Sequence, residues 1–257
     1  MVWIHPAGGN VMSYYSIVTN LSPSYASKAF MATGHHNKTD LSIKAMAAEY
    51  VGVLQEQREV EGTVLAGWSM GALIAHDMAV LLADEGRALP LILVDQPVPN
   101  HTPKDEELYE TRIISYIERI EIFVGEKIAL SADGSEKLDY GVLRSEFIRM
   151  GLMPVAVAEE EFKVFLDVLV RHNRIISDFY PSMYSGPVLL LKAADKIMLK
   201  TSNHQPEYKL DDLGWGEFCS NLTVLEAPGN HITMMSGKYS SKTAELIRTW
   251  IAVQRLK

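Results

Sequence analysis

Gly67-Trp68-Ser69-Met70-Gly71 lies between a short apolar run, Thr63-Val64-Leu65-Ala66, and a helix-like stretch, Ala72-Leu73-Ile74-Ala75-His76-Asp77-Met78-Ala79. A strand, a sharp turn carrying serine between small residues, then a helix: this is the context that a nucleophile elbow requires. The turn is too tight for side chains at the flanking glycines, and its strain lifts the serine hydroxyl clear of the sheet. The helix that starts beside it aims free N–H groups and a positive dipole end at any charge forming there. An ordinary surface turn is the competing reading. The strand before it and the helix after it favour the catalytic one.

Upstream of this turn, the chain opens on a strand-like run, Val2-Trp3-Ile4, followed by the turn His5-Pro6-Ala7-Gly8-Gly9-Asn10. Tyr14, Ile17, Val18 and Leu21 then fall on one helical face. Ala29-Phe30-Met31-Ala32 reads as a second strand, and Ser42 to Gln57 as a helix. The elbow helix runs to about Glu85, with Gly86 as its terminator. Leu89-Pro90-Leu91-Ile92-Leu93-Val94 is uninterrupted and apolar, as in a strand buried on both faces. Strands alternating with helices predict an α/β fold, a mostly parallel sheet with helices on both faces.

Between about Pro97 and Ser185 the rhythm becomes helix after helix. One apolar stripe is Ile113, Ile114, Ile117, Ile120 and Phe123; a second is Leu143, Phe147 and Met150. A third is Phe162, Phe165, Leu166, Leu169, Val170 and Ile176. Such an insert reads most simply as a cap over the catalytic face. The alternation resumes with Pro187-Val188-Leu189-Leu190-Leu191, then Leu222-Thr223-Val224-Leu225, and a last helix from about Lys242 to Gln254. The expected organisation is a single domain over 1–257, with a core of 1–96 and 186–257 and a helical lid at about 97–185.

The 257 residues, 47% of them hydrophobic, suffice for one large core. No apolar run is long enough to span a bilayer, and the N-terminus lacks a basic region followed by an apolar one. A soluble monomer in the cytoplasm is expected. Cys219 is the only cysteine and sits in no motif, so neither an internal disulfide nor a thiol nucleophile is expected. The net charge of −8, with no basic stripe, argues against nucleic acid or an anionic membrane as partner. No zinc spacing, phosphate loop or dinucleotide loop is present, and His35-His36 reads as an exposed loop rather than a metal site.

A serine hydroxyl needs a base to take its proton, usually an imidazole, and an acid to hold that imidazole. In an elbow-type fold the chain order is serine, acid, histidine. His101, His172, His204 and His231 follow Ser69 at useful separation. His231 lies in the turn-rich Ala227-Pro228-Gly229-Asn230-His231, between the last strand and the last helix. That is the carboxyl edge of a parallel sheet, where the elbow also opens. His172 lies in a helical pattern and reads as structural; His101 and His204 are in polar loops. The acid is Asp95 or Asp195, each at the end of an apolar strand. Asp95 follows its strand directly and is the more rigidly held, whereas Asp195 lies beyond two alanines and beside Lys196. For the oxyanion, one donor is the N–H of Met70. The other is expected from Ala7, since Pro6 has no N–H and the glycines beyond let backbone approach a substrate. His5 reads as a structural member of that loop.

His5-Pro6-Ala7-Gly8-Gly9-Asn10 with Ser13-Tyr14 resembles the opening of thioesterase domains of nonribosomal peptide and polyketide synthetases. So do Ala66-Gly67-Trp68-Ser69-Met70-Gly71 with Ala75-His76-Asp77-Met78-Ala79, and Leu213-Gly214-Trp215 ahead of Ala227-Pro228-Gly229-Asn230-His231. The resemblance covers nearly the whole chain. It implies an α/β-hydrolase fold with a helical lid, no cofactor, and release of an acyl or peptidyl chain from a carrier protein's phosphopantetheine arm. Domains fused to a synthetase often use the earlier acid, here Asp95; free-standing proofreading relatives often use the later one, here Asp195. The long insert looks more like the fused kind. One departure is Ala72, where many members carry glycine. Another is a start within the first strand, as in an excised domain with an added initiator methionine. Hydrolysis and macrocyclisation are both compatible with these residues. A free-standing editing thioesterase, a carrier-independent esterase and a non-enzymatic binding module are the rival readings.

Overall fold

A computed structural model describes residues 1–32, 42–99, 109–135, 137–195 and 210–254, with the backbone alone at Arg119, Ile122 and Phe123. His35, His36, His101, Lys196 and His204 lie outside the described residues, as does the Phe123 side chain of the first helical stripe.

Strands β1 (Val2–Ile4), β2 (Lys28–Phe30), β3 (Leu65–Trp68), β4 (Leu91–Val94), β5 (Tyr184–Ala193) and β6 (Cys219–Ala227) form one sheet in the order β2-β1-β3-β4-β5-β6. Every pairing is parallel. The chain first moves outward from β1 to β2, then returns across β1 and builds the other side from β3 onward. The strand order therefore reverses between β1 and β3, and a crevice opens beyond their carboxyl ends. The loops entering that crevice are His5–Gly9 and the turn at Ser69.

Alternation along the central strands shows why both faces are covered. Leu91 and Leu93 of β4 join a core with Leu65, Val188 and Leu190 under α2 (Ile43–Glu56) and α3 (Met70–Asp84). Ile92 and Val94 join a second core with Leu189 and Leu191 under α1 (Tyr15–Leu21) and α7 (Ser240–Gln254). Successive strand residues point to opposite faces, so an unbroken apolar run needs a helical layer on each side. The helix stripes match: Ile43, Met46, Ala47, Tyr50, Val51 and Leu54 of α2 are buried, and Ser42 caps it by accepting from Ala45 N at 3.0 Å.

Helices α4 (Tyr109–Val124), α5 (Tyr140–Arg149) and α6 (Glu159–Ser177) build a third core from Ile113, Ile117, Ile120, Leu143, Phe147, Phe162, Leu166, Leu169 and Val170. Ile176 departs from its stripe and packs on the sheet core instead, and Ala7 touches both cores. The loop after β1 thus lies at the seam between sheet and helices.

Several boundaries differ from the sequence reading. The elbow strand is Leu65–Trp68 rather than Thr63–Ala66, and β2 begins at Lys28 rather than Ala29. β4 begins at Leu91, since Pro90 has no N–H for the ladder. β5 extends from Tyr184 to Ala193, past both ends of Pro187–Leu191, and begins two residues before the expected boundary at 186. β6 runs from Cys219 to Ala227 rather than Leu222 to Leu225. Pairing with a neighbour, not local composition, sets those ends.

One core residue carries a pH dependence. His76 of α3 is fully buried among the rings of Trp215, Tyr184 and Phe179, with centroids 4.9, 6.3 and 6.4 Å away. Neither ring nitrogen has a hydrogen-bond partner among the described residues. Burial disfavours the imidazolium and pulls the pKa down to about 4. Above about pH 6.5 the ring is neutral folded and unfolded, and contributes no pH dependence. Between there and pH 4 the unfolded chain takes up a proton that the folded one refuses, so stability falls by about 3 kcal/mol over the window. Urea unfolding at pH 7.5 and pH 4.5 should show that loss in the wild type, with a smaller slope in His76→Phe. Equal slopes would contradict it.

Candidate active site

Ser69 sits at φ 54°, ψ −135°, outside helix and strand, as the residue capping α3. Such a backbone costs about 1–3 kcal/mol in a residue with a side chain. The surroundings impose it. Ser69 N donates to Val94 O of β4 at 3.1 Å, while Ser69 O already accepts from Ala72 N at 2.8 Å. Strand pairing and helix therefore meet in one residue. A Cβ at Gly67 would lie 2.0 Å from Gly71 O, and one at Gly71 would lie 2.1 Å from Ile4 O. Both glycines are required by contact. The second contact also sets the start of α3 directly against the end of β1. Met70 is the first residue of α3, so its N–H has no acceptor within the helix.

Asp95 follows β4 directly and is buried. Its carboxylate makes two contacts. Oδ1 accepts from Ala193 N of β5 at 2.9 Å, and Oδ2 lies 2.9 Å from His231 Nδ1. An ionised carboxylate only accepts, so Nδ1 carries the proton and Nε2 is the basic nitrogen of the neutral ring. The β4–β5 pairing thereby fixes the carboxylate, and the carboxylate fixes the tautomer.

The histidine loop has its own supports. Asn230 Oδ1 accepts from Ile232 N, Thr233 N and Thr233 Oγ1 at 3.0, 2.9 and 3.0 Å. Trp68, immediately before the serine, donates from its indole Nε1 to His231 O at 2.9 Å, and its ring centroid lies 5.1 Å from the imidazole. Trp68 N in turn donates to Tyr14 Oη at 3.0 Å, and Tyr14 Oη donates to Ile4 O. One short chain of contacts thus ties the serine turn, the histidine loop and the end of β1 together.

Asp195, the alternative acid, has an exposed side chain, and its backbone N–H donates to Gly229 O of the histidine loop at 3.0 Å. His172 is fully buried on α6. Cys219 is buried at the start of β6, and burial pushes its thiol up to about 12, which keeps it protonated and unreactive.

In the loop after β1, His5 N donates to Phe30 O, Gly8 N to His172 Nδ1 at 3.3 Å, and Gly9 N to Pro6 O. With Pro6 lacking an N–H, the remaining backbone donor of His5–Gly9 is Ala7. His5 is engaged within the fold: Nδ1 donates to Pro6 O at 2.9 Å, and Nε2 meets Tyr50 Oη at 2.8 Å. Trp68, Tyr14 and the Gly8–His172 contact escaped the sequence reading, because each joins residues 54 or more positions apart. The Asn230–Thr233 turn was readable, as an amide side chain bonding backbone two and three residues on. Among the described residues no group of His, Cys, Asp and Glu could hold a metal ion, and no helix is long and apolar enough to cross a membrane.

A parallel sheet reversing at β1 and β3, with the serine turn at that reversal, is the architecture of the α/β-hydrolase fold. Within it, the chain belongs to the thioesterase domain family, whose sequence profile matches residues 1–251, and it is a hydrolase of that class. It is 30% identical over 112 residues to a dimodular nonribosomal peptide synthase of Bacillus subtilis (strain 168), covering 40% of this chain and 5% of that one. It is 27% identical over 197 residues to a chondramide synthase of Chondromyces crocatus, covering 72% and 5%. The chain thus spans about one twentieth of these relatives' length. Among solved structures it resembles a four-domain nonribosomal peptide synthetase bound to AMP and glycine, with TM-score 0.78, 21% identity, and 97% of this chain and 19% of that one covered. It also resembles the NocB thioesterase domain in covalent complex with a fluorophosphonate nocardicin G analogue, with TM-score 0.66, 19% identity and 96% and 92% covered.

Proposed function

We propose that this domain releases an acyl or peptidyl chain from the phosphopantetheine thioester of an upstream carrier domain, through an acyl-Ser69 intermediate. The observation that carries the proposal is the Asp95–His231 contact, in a loop whose His231 O accepts from Trp68, the residue before the serine turn. His231 Nε2 takes the Ser69 proton as Oγ bonds to the thioester carbon. The Met70 and Ala7 N–H groups hold the oxyanion. The carbon–sulfur bond then breaks, and the proton on His231 passes to the departing thiol. In the second half His231 takes a proton from water, or from an amine or hydroxyl of the same chain. That nucleophile bonds to the acyl carbon, and Ser69 leaves with the proton. The products are a free acid or a ring. Neither half needs a cofactor or metal. The segment at about 97–185, which carries α4, α5 and α6, acts as a lid that folds the chain and restricts water.

The test compares a carrier protein loaded with a peptidyl thioester, the same carrier loaded with acetyl, and a p-nitrophenyl ester of the same peptide. Release is expected to be fastest from the peptidyl carrier. Preference for acetyl would indicate an editing role, and equal rates on the ester would indicate a carrier-independent esterase; either contradicts the proposal. Trp68→Phe should keep the ring and lose the donor to His231 O. Its kcat is expected to fall about tenfold, as for one lost hydrogen bond of ~1.4 kcal/mol, with KM unchanged. A raised KM at constant kcat would place Trp68 in substrate binding instead.

A further inference from the structure

The Ala7 N–H can stabilise an oxyanion only if its peptide plane is held, and the loop that carries it is conformationally soft. Gly8 and Gly9 sit at φ +88° and +79°, where little but contact restrains them. Part of the restraint comes from the sheet side. Pro6 O belongs to the same peptide as Ala7 N–H, and it accepts from both His5 Nδ1 and Gly9 N. In a trans peptide the N–H points opposite to the carbonyl, so these bonds turn the Ala7 N–H outward. The next peptide, Ala7–Gly8, is held from the other side of the crevice: its N–H, that of Gly8, donates to His172 Nδ1 of α6 at 3.3 Å.

Three further features mark this contact as built. His172 is fully buried. Its ring stacks on His5 at 5.5 Å and 20° between planes, so it braces the residue that holds the preceding peptide. Phe165, two turns earlier on the same face of α6, covers Gly8 so closely that a Cβ there would lie 2.6 Å from its ring. A leucine would fill the same space at lower desolvation cost. What leucine cannot supply is an acceptor for the Gly8 N–H.

We propose that His172 is a positioning residue for the oxyanion loop: by accepting the Gly8 N–H it holds the Ala7–Gly8 peptide, so that α6 of the helical insert sets the geometry of the Ala7 donor. This rests on the reading of Ser69 as nucleophile and Ala7 as oxyanion donor. It makes the helical insert part of the catalytic geometry and not only a cover.

The test uses the rate of Ser69 labelling by an alkyl fluorophosphonate, whose phosphoryl oxygen needs the same donors and which requires no knowledge of the natural acyl chain. In His172→Leu the maximal labelling rate should fall about 10- to 100-fold, the range for a misplaced or lost oxyanion donor, with the half-saturating concentration unchanged. His172→Asn, whose Oδ1 can take the place of Nδ1, should recover to within about threefold of wild type, the size of a single imperfect hydrogen bond. His172→Gln, which moves the acceptor outward, should fall with Leu; the Asn–Gln pair decides the matter if His172→Leu does not fold. Circular dichroism and melting temperature confirm that the compared proteins are folded. A Leu variant labelled at the wild-type rate, or Asn and Gln equally slow, would overturn the proposal while leaving Ser69 as nucleophile intact. A wild type that is not labelled at Ser69 would overturn both.

Discussion

Replacing Ser69 with alanine is expected to lower thioester release by at least about 10⁴-fold, because the acyl-serine step is lost. The loss should be chemical rather than structural. The turn is held by backbone bonds, from Ser69 N to Val94 O and from Ala72 N to Ser69 O, and by the contacts of Gly67 and Gly71. Alanine keeps all of these, so the variant should unfold at the wild-type temperature and still bind the loaded carrier. Residual release above that level, in folded protein, would mean that water attacks the thioester directly. Ser69 would then be a bystander to a His231-activated water.

The second large effect separates the two aspartates. In Asp95→Asn the amide oxygen can still accept from Ala193 N, which leaves the NH₂ facing His231 Nδ1. An amide donor there forces the ring to accept at Nδ1 and carry its proton on Nε2, where it can no longer take one from serine. The expected cost is about 10⁴ in kcat, with the fold kept, since asparagine tolerates the φ of +46° that position 95 adopts. Asp195→Asn should remain within about twofold of wild type, because its side chain is exposed and the substitution leaves its backbone bond to the histidine loop in place. The reverse ranking would move the acid to Asp195.

How much of this was readable depended on how local the cause was. The serine turn was legible because both its causes, the flanking glycines and the strand and helix beside it, lie within a dozen residues. Asp95 was legible because a carboxylate directly after an apolar strand has few places to go. The ends of β5 were not, since Tyr184 and Ser185 fell at the end of the helical stretch and become strand only by pairing with β6 across a register irregularity. β2 slipped for the opposite reason: Lys28 and Ala29 are exposed at the sheet edge, so no burial pattern marks its start. Helical patterning put His172 in a helix and read it as structural, and the residue is buried on α6. The patterning gave no sign that the partner was the backbone of Gly8, at the other end of the chain. Trp68 and Tyr14 were hidden in the same way, as apolar residues whose polar atoms meet partners that only the fold brings close.

Ser69 is expected to carry the acyl chain during turnover. The most direct measurement is the intact mass of the protein, acid-quenched within milliseconds of mixing with a peptidyl-loaded carrier protein, followed by peptide mapping. A mass gain equal to the peptidyl group, confined to the peptide that contains Ser69 and absent from Ser69→Ala, is the result predicted. Product forming with no such adduct at any time, or with the adduct on another residue, would contradict it.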